Sequence, residues 1–348
     1  VFVVGAYRRV KSYTEGPDDE FERTNNLAER IRSAARITLS NQKQFNRDLY
    51  GGLMHSFIMW GFLTLLIATT ILAFDEYALQ TIFDFSVYTG DFYLAYQFAV
   101  DALGLLFIVG MSMVIYRRYW VRNERLFGPH SSLEDHLFVW SLFLLGVGGF
   151  LVEGIRILVN DYPSFEVVSF VGWATAMGFE AAGVAPESGT AEFIHWLTWW
   201  SHSLLAFAFI AWIPYAKPFH MLSSYANVVT RDEKAGQRLP GIPSDLDATN
   251  AESIEDFTWR DRLDQDACTK CGRCSSVCPA NASGRNLNPR DVILDLKSYR
   301  QSVEDGGEEI PIIADGGESV IEAETMESCM ACMACMDACP VEIEHLKS

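Results

Sequence analysis

Eight cysteines occur in the 348 residues, and all of them lie after residue 267. They form two runs of one pattern, Cys268-Thr-Lys-Cys271-Gly-Arg-Cys274-Ser-Ser-Val-Cys278-Pro279 and Cys329-Met-Ala-Cys332-Met-Ala-Cys335-Met-Asp-Ala-Cys339-Pro340. Two-residue gaps let a tight loop wrap three thiolates round one face of an iron–sulfur cube, and the proline ends that loop. In this pattern the fourth cysteine of each run ligates the other cluster. One [4Fe–4S] cluster then takes Cys268, Cys271, Cys274 and Cys339, and the second takes Cys329, Cys332, Cys335 and Cys278. Two zinc sites would use paired cysteines and leave the third cysteine and the terminal x3-C-P without a purpose. A secreted disulfide framework would be small and dense in cysteine throughout.

Of the seven histidines, His55, His202 and His220 are placed for chemistry. Counted along one helix, His195, His202 and His220 share a stripe, because seven residues leave a net turn of about −20° and eighteen return to the same face. His202 and His220 would then stand about 27 Å apart on the axis. One haem cannot take both, whereas two stacked sites on one helix could. His55 and His220 fall at matching depth on antiparallel spans, as imidazole ligation of one haem b from both sides requires. Such an iron has no open position and serves as an electron carrier. The plainer alternative is a hydrogen-bonded histidine in the bundle interior.

These residues need a membrane bundle and a small soluble domain to hold them. Four windows are long and apolar enough to span a bilayer: residues 53–74, 92–116, 137–159 and 193–216. A fifth apolar stretch, 165–179, is too short and contains Glu166, and reads as an outer-surface or re-entrant helix. The apolar stub 1–7 reads as the tail of an earlier span, and no complete signal peptide precedes it. Nine Lys/Arg precede the first full span and four lie between the second and third, while 75–91 and 160–192 have none. The positive-inside rule therefore makes the cysteine domain cytoplasmic. Trp196, Trp199 and Trp200 read as an interfacial aromatic belt. Asp101, Glu153 and Arg156 lie at membrane depth and are quinone or proton-path candidates, together with His136 at the start of the third span. Glu153 and Arg156, as i,i+3 neighbours, could instead simply pair.

The run from His202 to His220, with Pro214 and Lys217 before the second histidine, resembles the last helix of the nitrate reductase gamma-subunit family of dihaem cytochromes b. Gly51-Gly-Leu-Met-His55 resembles that family's other ligand helix. The resemblance implies a cytoplasmic-side haem b on His55 and His220 and an outer haem on His202. The chain departs from it at Leu65, which stands where the family has the outer haem's second ligand. The segment 278–297, and the second cysteine run with Val341-Glu-Ile-Glu-His345, resemble the cluster domains of heterodisulfide-reductase-type proteins, in which His345 would be structural. Together the two parts resemble membrane-bound iron–sulfur oxidoreductases that fuse these modules. Some of them pass electrons from electron-transfer flavoprotein to menaquinone. Chains of that kind continue into Cys-Cys-Gly domains. No Cys-Cys pair occurs here, so the resemblance places that domain on a missing part or a partner.

The expected fold is mainly α: four full spans plus the tail of a fifth, then a small α+β dicluster ferredoxin-like domain. The expected parts are residues 1–49, a bundle at 50–221, an acidic linker at 222–262 and the cluster domain from 263. The net charge of −18, concentrated after residue 220, excludes nucleic-acid binding and suits solubility in high salt. The expected function is a prokaryotic plasma-membrane wire between a cytoplasmic donor such as a flavoprotein, the clusters, haem b and a membrane quinone. The alternatives are the membrane part of a thiol–disulfide reductase and a non-catalytic relay subunit.

Overall fold

The computed structural model describes residues 1–19, 21–234, 253–314 and 316–346. In chain order the α-helices are α1 (Phe2–Thr14), α2 (Leu27–Ser40), α3 (Gln42–Arg47), α4 (Leu49–Phe74), α5 (Thr81–Phe83), α6 (Gly90–Ile115), α7 (Leu133–Val159), α8 (Phe170–Ala181), α9 (Gly189–Trp212), α10 (His220–Val229), α11 (Trp259–Ala267), α12 (Arg273–Val277), α13 (Pro279–Ala282), α14 (Pro289–Glu304), α15 (Ala323–Glu327) and α16 (Ala334–Ala338). The strands β1 (Ile313–Ala314) and β2 (Ile321–Glu322) pair in parallel. The protein is thus mainly α. It divides into two compact units: residues 1–47, 122–135 and 211–348 form one, and residues 48–121 and 136–210 the other.

The second unit carries the apolar helices. Four continuous helical stretches, Leu49–Phe83, Gly90–Trp120, Leu133–Val159 and Gly189–Tyr215, have the length and composition to cross a membrane. Asp48 caps α4 by accepting from the Gly51 amide. α4 and α6 pack at close range through glycine: a Cβ at Gly61 would stand 2.6 Å from the Phe107 Cβ, and one at Gly110 would stand 2.9 Å from Ile58. Leu66, Ile67, Phe74 and Phe207 remain exposed, the surface that lipid would cover. The stretch 165–179 forms a short 3-10 turn at Ser164–Val168 and then α8, whose 12 residues fall short of a span.

The count that put His202 and His220 on one helix face is corrected by the structure. α9 stops at Trp212, and two 3-10 turns, Ile213–Tyr215 and Lys217–Phe219, separate it from α10. Pro214 and Pro218 cause the break, because each lacks an N–H and clashes with the preceding helical turn.

The first unit holds the cysteine domain. Phe257, Leu287, Val292, Leu296, Tyr299 and Ile321 form its main core, and Ala267, Ile293, Cys339, Val341 and Ile343 form a second. α11 is capped by Thr258, which accepts from the Asp261 amide while the Asp261 carboxylate returns to the Thr258 amide. A buried ionic hub fixes this helix. The Asp266 carboxylate meets Arg300 at 3.0 Å, Arg9 at 3.2 Å, Lys297 at 3.3 Å and the Tyr13 hydroxyl at 2.7 Å. Of the stretch read as an acidic linker, residues 235–252 lie outside the described residues, 222–229 belong to α10 and 259–262 to α11.

Candidate functional site

The two cysteine runs adopt one backbone path. In the first, Lys270 and Gly272 have φ of 58° and 68°; in the second, Ala331 and Met333 have 50° and 61°. Each run then makes one short helix, α12 or α16, and ends on a cysteine with φ −74°, Cys278 or Cys339. Left-handed backbone costs non-glycine residues about 1–2 kcal/mol each. Lys270, Ala331 and Met333 are held there because the loop must turn three thiols toward one place. The Ala331 amide points at Cys329 Sγ and the Ile343 amide at Cys339 Sγ, each at 3.4 Å. Such N–H donors favour thiolate.

The runs cross. Cys278 of the first joins Cys329, Cys332 and Cys335 of the second in lining one small pocket of about 30 Å³, which Leu287, Pro289 and other apolar groups also line. Burial pushes the Cys335 thiol up to about 11, with Cys329, Cys332 and Cys278 adding to the rise. Cys274 is raised well above its ordinary value by burial and by the neighbouring Cys271, Cys268, Cys339 and Cys335. Cys339 is raised by burial, then by Cys271 and Cys268. Burial thus opposes ionisation of Cys268, Cys274, Cys335 and Cys339, whereas at Cys271 the opposing effect of burial is outweighed by the Arg273 charge, which lowers the thiol. A bound cationic core removes that opposition, which is the chemistry of a metal-ligand set. Among the described residues no three His, Cys, Asp or Glu side chains close round a single ion, so neither set is drawn in to one point. The residues present fit two [4Fe–4S] cubes.

Of the histidines, His220 opens α10, and its Nδ1 lies 2.7 Å from the Lys217 carbonyl oxygen. A carbonyl only accepts, so Nδ1 carries the proton and Nε2 keeps its lone pair, the tautomer a ligating histidine needs. His55 is half-buried on α4. The His202 Nδ1 is buried with no hydrogen-bond partner among the described residues; a Cβ at Gly148 would stand 3.0 Å from it. The His136 Nδ1 lies 2.7 Å from the Tyr119 hydroxyl. His345 is pushed down to about 4 by burial and lies 3.2 Å from the Ile343 oxygen.

Residues 267–343 match the family model of the 4Fe-4S dicluster domain. That match spans all eight cysteines. The chain is 29% identical to the "EtfAB:quinone oxidoreductase" of Syntrophomonas wolfei, over 99% of this chain and 51% of that protein. It is 27% identical to the "Probable iron-sulfur-binding oxidoreductase FadF" of Bacillus subtilis, over 76% of this chain and 36% of the relative. It is 35% identical to the "Probable membrane-anchored ferredoxin" of Chromohalobacter salexigens, over 63% and 33%. The chain spans about half or less of the length of these curated relatives. No solved structure matches it. With the four apolar helices, these likenesses make it a membrane protein with a C-terminal 4Fe-4S dicluster domain.

Within the apolar unit the charged residues join one network. The Asp101 carboxylate is fully buried and accepts from the Val171 and Gly172 amides at 2.9 and 3.1 Å, at the start of α8. Glu153 packs against Gly172. Arg156 does not take Glu153 as its close partner. Its guanidinium grips Glu166 through two bonds of 2.6 and 2.9 Å. The chain reverses at Tyr162 and Pro163, which brings the 3-10 turn back beside α7. The Tyr93 hydroxyl also donates to Glu166, at 2.6 Å. Burial opposes the Glu166 charge, but the bonds from Arg156 and Tyr93 hold its carboxyl below the ordinary range. Tyr88, Tyr93, Arg156, Phe165 and Glu166 line a cleft of about 550 Å³. Tyr93 carried no signal in the sequence, and Glu166 was visible only as a charge interrupting an apolar stretch.

Proposed function

We propose that this chain is the membrane-anchored electron-transfer part of an iron–sulfur oxidoreductase, passing electrons between a soluble donor, two [4Fe–4S] clusters and a membrane quinone. The observation that carries the reading is the crossing of the cysteine runs, with Cys278 standing among the thiols of the second run. Cys268, Cys271, Cys274 and Cys339 would hold one cluster, and Cys278, Cys329, Cys332 and Cys335 the other. When bound, the clusters accept and release single electrons. The protein's own part is to position the thiolates, donate amide N–H groups to sulfur and surround the sulfurs with apolar side chains.

We assign His55 and His220 as ligands of one haem b, supported by the Nδ1 bond of His220 to the Lys217 carbonyl. His202 is assigned to a second haem, supported by its partnerless buried Nδ1. Asp101, His136, Glu153 and Arg156 are assigned to quinone binding or proton delivery. The name of the Syntrophomonas wolfei relative supports electron-transfer flavoprotein as donor and a quinone as acceptor; we take the quinone to be menaquinone. Loop charge supports a cytoplasmic cluster domain in a prokaryotic plasma membrane. A Cys-Cys-Gly domain is assigned to a further part or partner.

The deciding experiment is a dithionite-reduced minus oxidised optical spectrum of the purified chain, with haem and non-haem iron counted per chain. The reading expects about eight non-haem irons from two four-iron cubes, with one or two b haems. Four irons or fewer would refute the two-cluster assignment. A spectrum without a b-type α band would refute the haem assignment and leave a membrane-anchored ferredoxin.

A further inference from the structure

The two thiol sets differ in their surroundings, and all the relevant residues belong to one compact unit. In the set completed by Cys278, Cys329 and Cys332 are exposed, and Met330 beside them is 66% exposed. The intervening residues of that run are Met, Ala and one Asp, which gives the open edge an apolar rim. In the set completed by Cys339, no thiol is exposed. Its surroundings are cationic: Lys270 donates to the His130 oxygen, Arg273 is buried, and Lys297 pairs with Asp266.

That second set is also gripped by the helix that His220 opens. The Ser223 hydroxyl donates to the Asp266 oxygen at 3.0 Å, two residues before Cys268. The Asn227 amide donates to the Val341 oxygen at 2.8 Å, two residues after Cys339. α10 thus touches the chain on both sides of this set, with His220 one turn before Ser223. The loop 122–135 covers the same set from another direction. A Cβ on Gly272 would stand 2.5 Å from the Arg125 oxygen, which accepts from Arg290 at 2.8 Å.

We infer that the wire has a fixed polarity: the cluster held by Cys278, Cys329, Cys332 and Cys335 exchanges electrons with the soluble donor, and the cluster held by Cys268, Cys271, Cys274 and Cys339 relays them toward His220. The inference rests on the cluster and haem assignments above. Each step moves one electron. With clusters bound, the one held by Cys278, Cys329, Cys332 and Cys335 would take one electron from a reduced flavin donor, which is thereby oxidised by one electron, and the one held by Cys268, Cys271, Cys274 and Cys339 would receive it. No bond forms or breaks and no proton moves between the clusters.

The test uses the full chain in detergent. Ferricyanide is added in small steps to strip the more accessible cluster, freed thiols are alkylated with iodoacetamide, and labelled peptides are quantified. Cys329, Cys332 and Cys335 are expected to label at least tenfold faster than Cys268, Cys271 and Cys274. Equal rates or the reverse order would overturn the polarity. In parallel, reduced electron-transfer flavoprotein is mixed with the wild type and with Cys332→Ser. Reduction of the remaining cluster is expected to slow at least tenfold in the variant while dithionite still reduces it fully. An unchanged rate in the variant would overturn the polarity. If the flavoprotein reduces neither cluster of the wild type, the donor assignment fails, and the alkylation order still decides the polarity.

Discussion

Asp266 carries the heaviest electrostatic load in the cysteine domain. Its side chain is fully buried, and three cations converge on it from two helices, Arg9 from α1 and Lys297 and Arg300 from α14. Burial alone would raise its carboxyl; the charges of Arg300, Lys297 and Arg9 instead hold it well below the usual range. Asp266→Asn keeps the shape and one acceptor oxygen but removes the charge that balances the three cations. Breaking a buried pair by removing one partner costs about 3–5 kcal/mol, because the remaining charge stays desolvated. At roughly 2–4 °C per kcal/mol for a domain of 150–250 residues, the midpoint should fall by about 6–20 °C. The assay is thermal loss of the iron–sulfur absorbance near 420 nm in detergent. Glu29→Gln is the control. Its partner is Arg32, the two side chains are 64% and 80% exposed, and exposed pairs contribute about 0–1 kcal/mol. A shift below about 2 °C for Asp266→Asn, or an equal shift in the control, would refute the claim that the hub holds α1, α11 and α14 together.

Further outcomes follow from single positions. Gly272→Ala places a Cβ about 2.5 Å from the Arg125 oxygen and should speed loss of iron to a chelator severalfold, whereas Met333→Gly, at the matching place in the second run, relieves a φ of 61° and should be neutral or stabilising by about 1 kcal/mol. Because the His345 pKa is depressed to about 4, its contribution to stability is complete above pH 6.5 and drains away as pH falls toward 4. The midpoint of the wild type should therefore drop between pH 6.5 and 5, and His345→Gln should remove part of that drop, worth on the order of 1–3 kcal/mol. Glu166→Gln strips Arg156 of its carboxylate and should lower the detergent midpoint of the apolar unit by the equivalent of about 2 kcal/mol, discounted because Arg156 is 32% exposed; circular dichroism at 222 nm reads it.

What was legible in the sequence is what depends on short spacing or on length. The thiol runs declare themselves within twelve residues, and a window of some twenty apolar residues needs no partner to be recognised. The contacts that lock these pieces were not legible, because they join positions far apart: Arg9 and Asp266 are 257 residues apart, and Arg23 and Glu344 are 321. Arg156 shows the same limit at shorter range. Helical geometry offered Glu153 as partner, but a chain reversal at Tyr162 and Pro163 presented Glu166, and periodicity carries no information about a reversal. His220 is the most instructive case. Counting eighteen residues from His202 assumed a helix that runs on, although Pro214 and Pro218 were in plain view. The structure ends α9 at Trp212 and begins a new helix at His220. The face count fails there, yet the same break sets the ring for its proposed role. The Lys217 carbonyl, lying in the 3-10 turn rather than in the interior of a long helix, accepts from the imidazole Nδ1 and leaves Nε2 with its lone pair. The two prolines that defeat the count are thus the reason this histidine can present a ligating nitrogen at the start of α10.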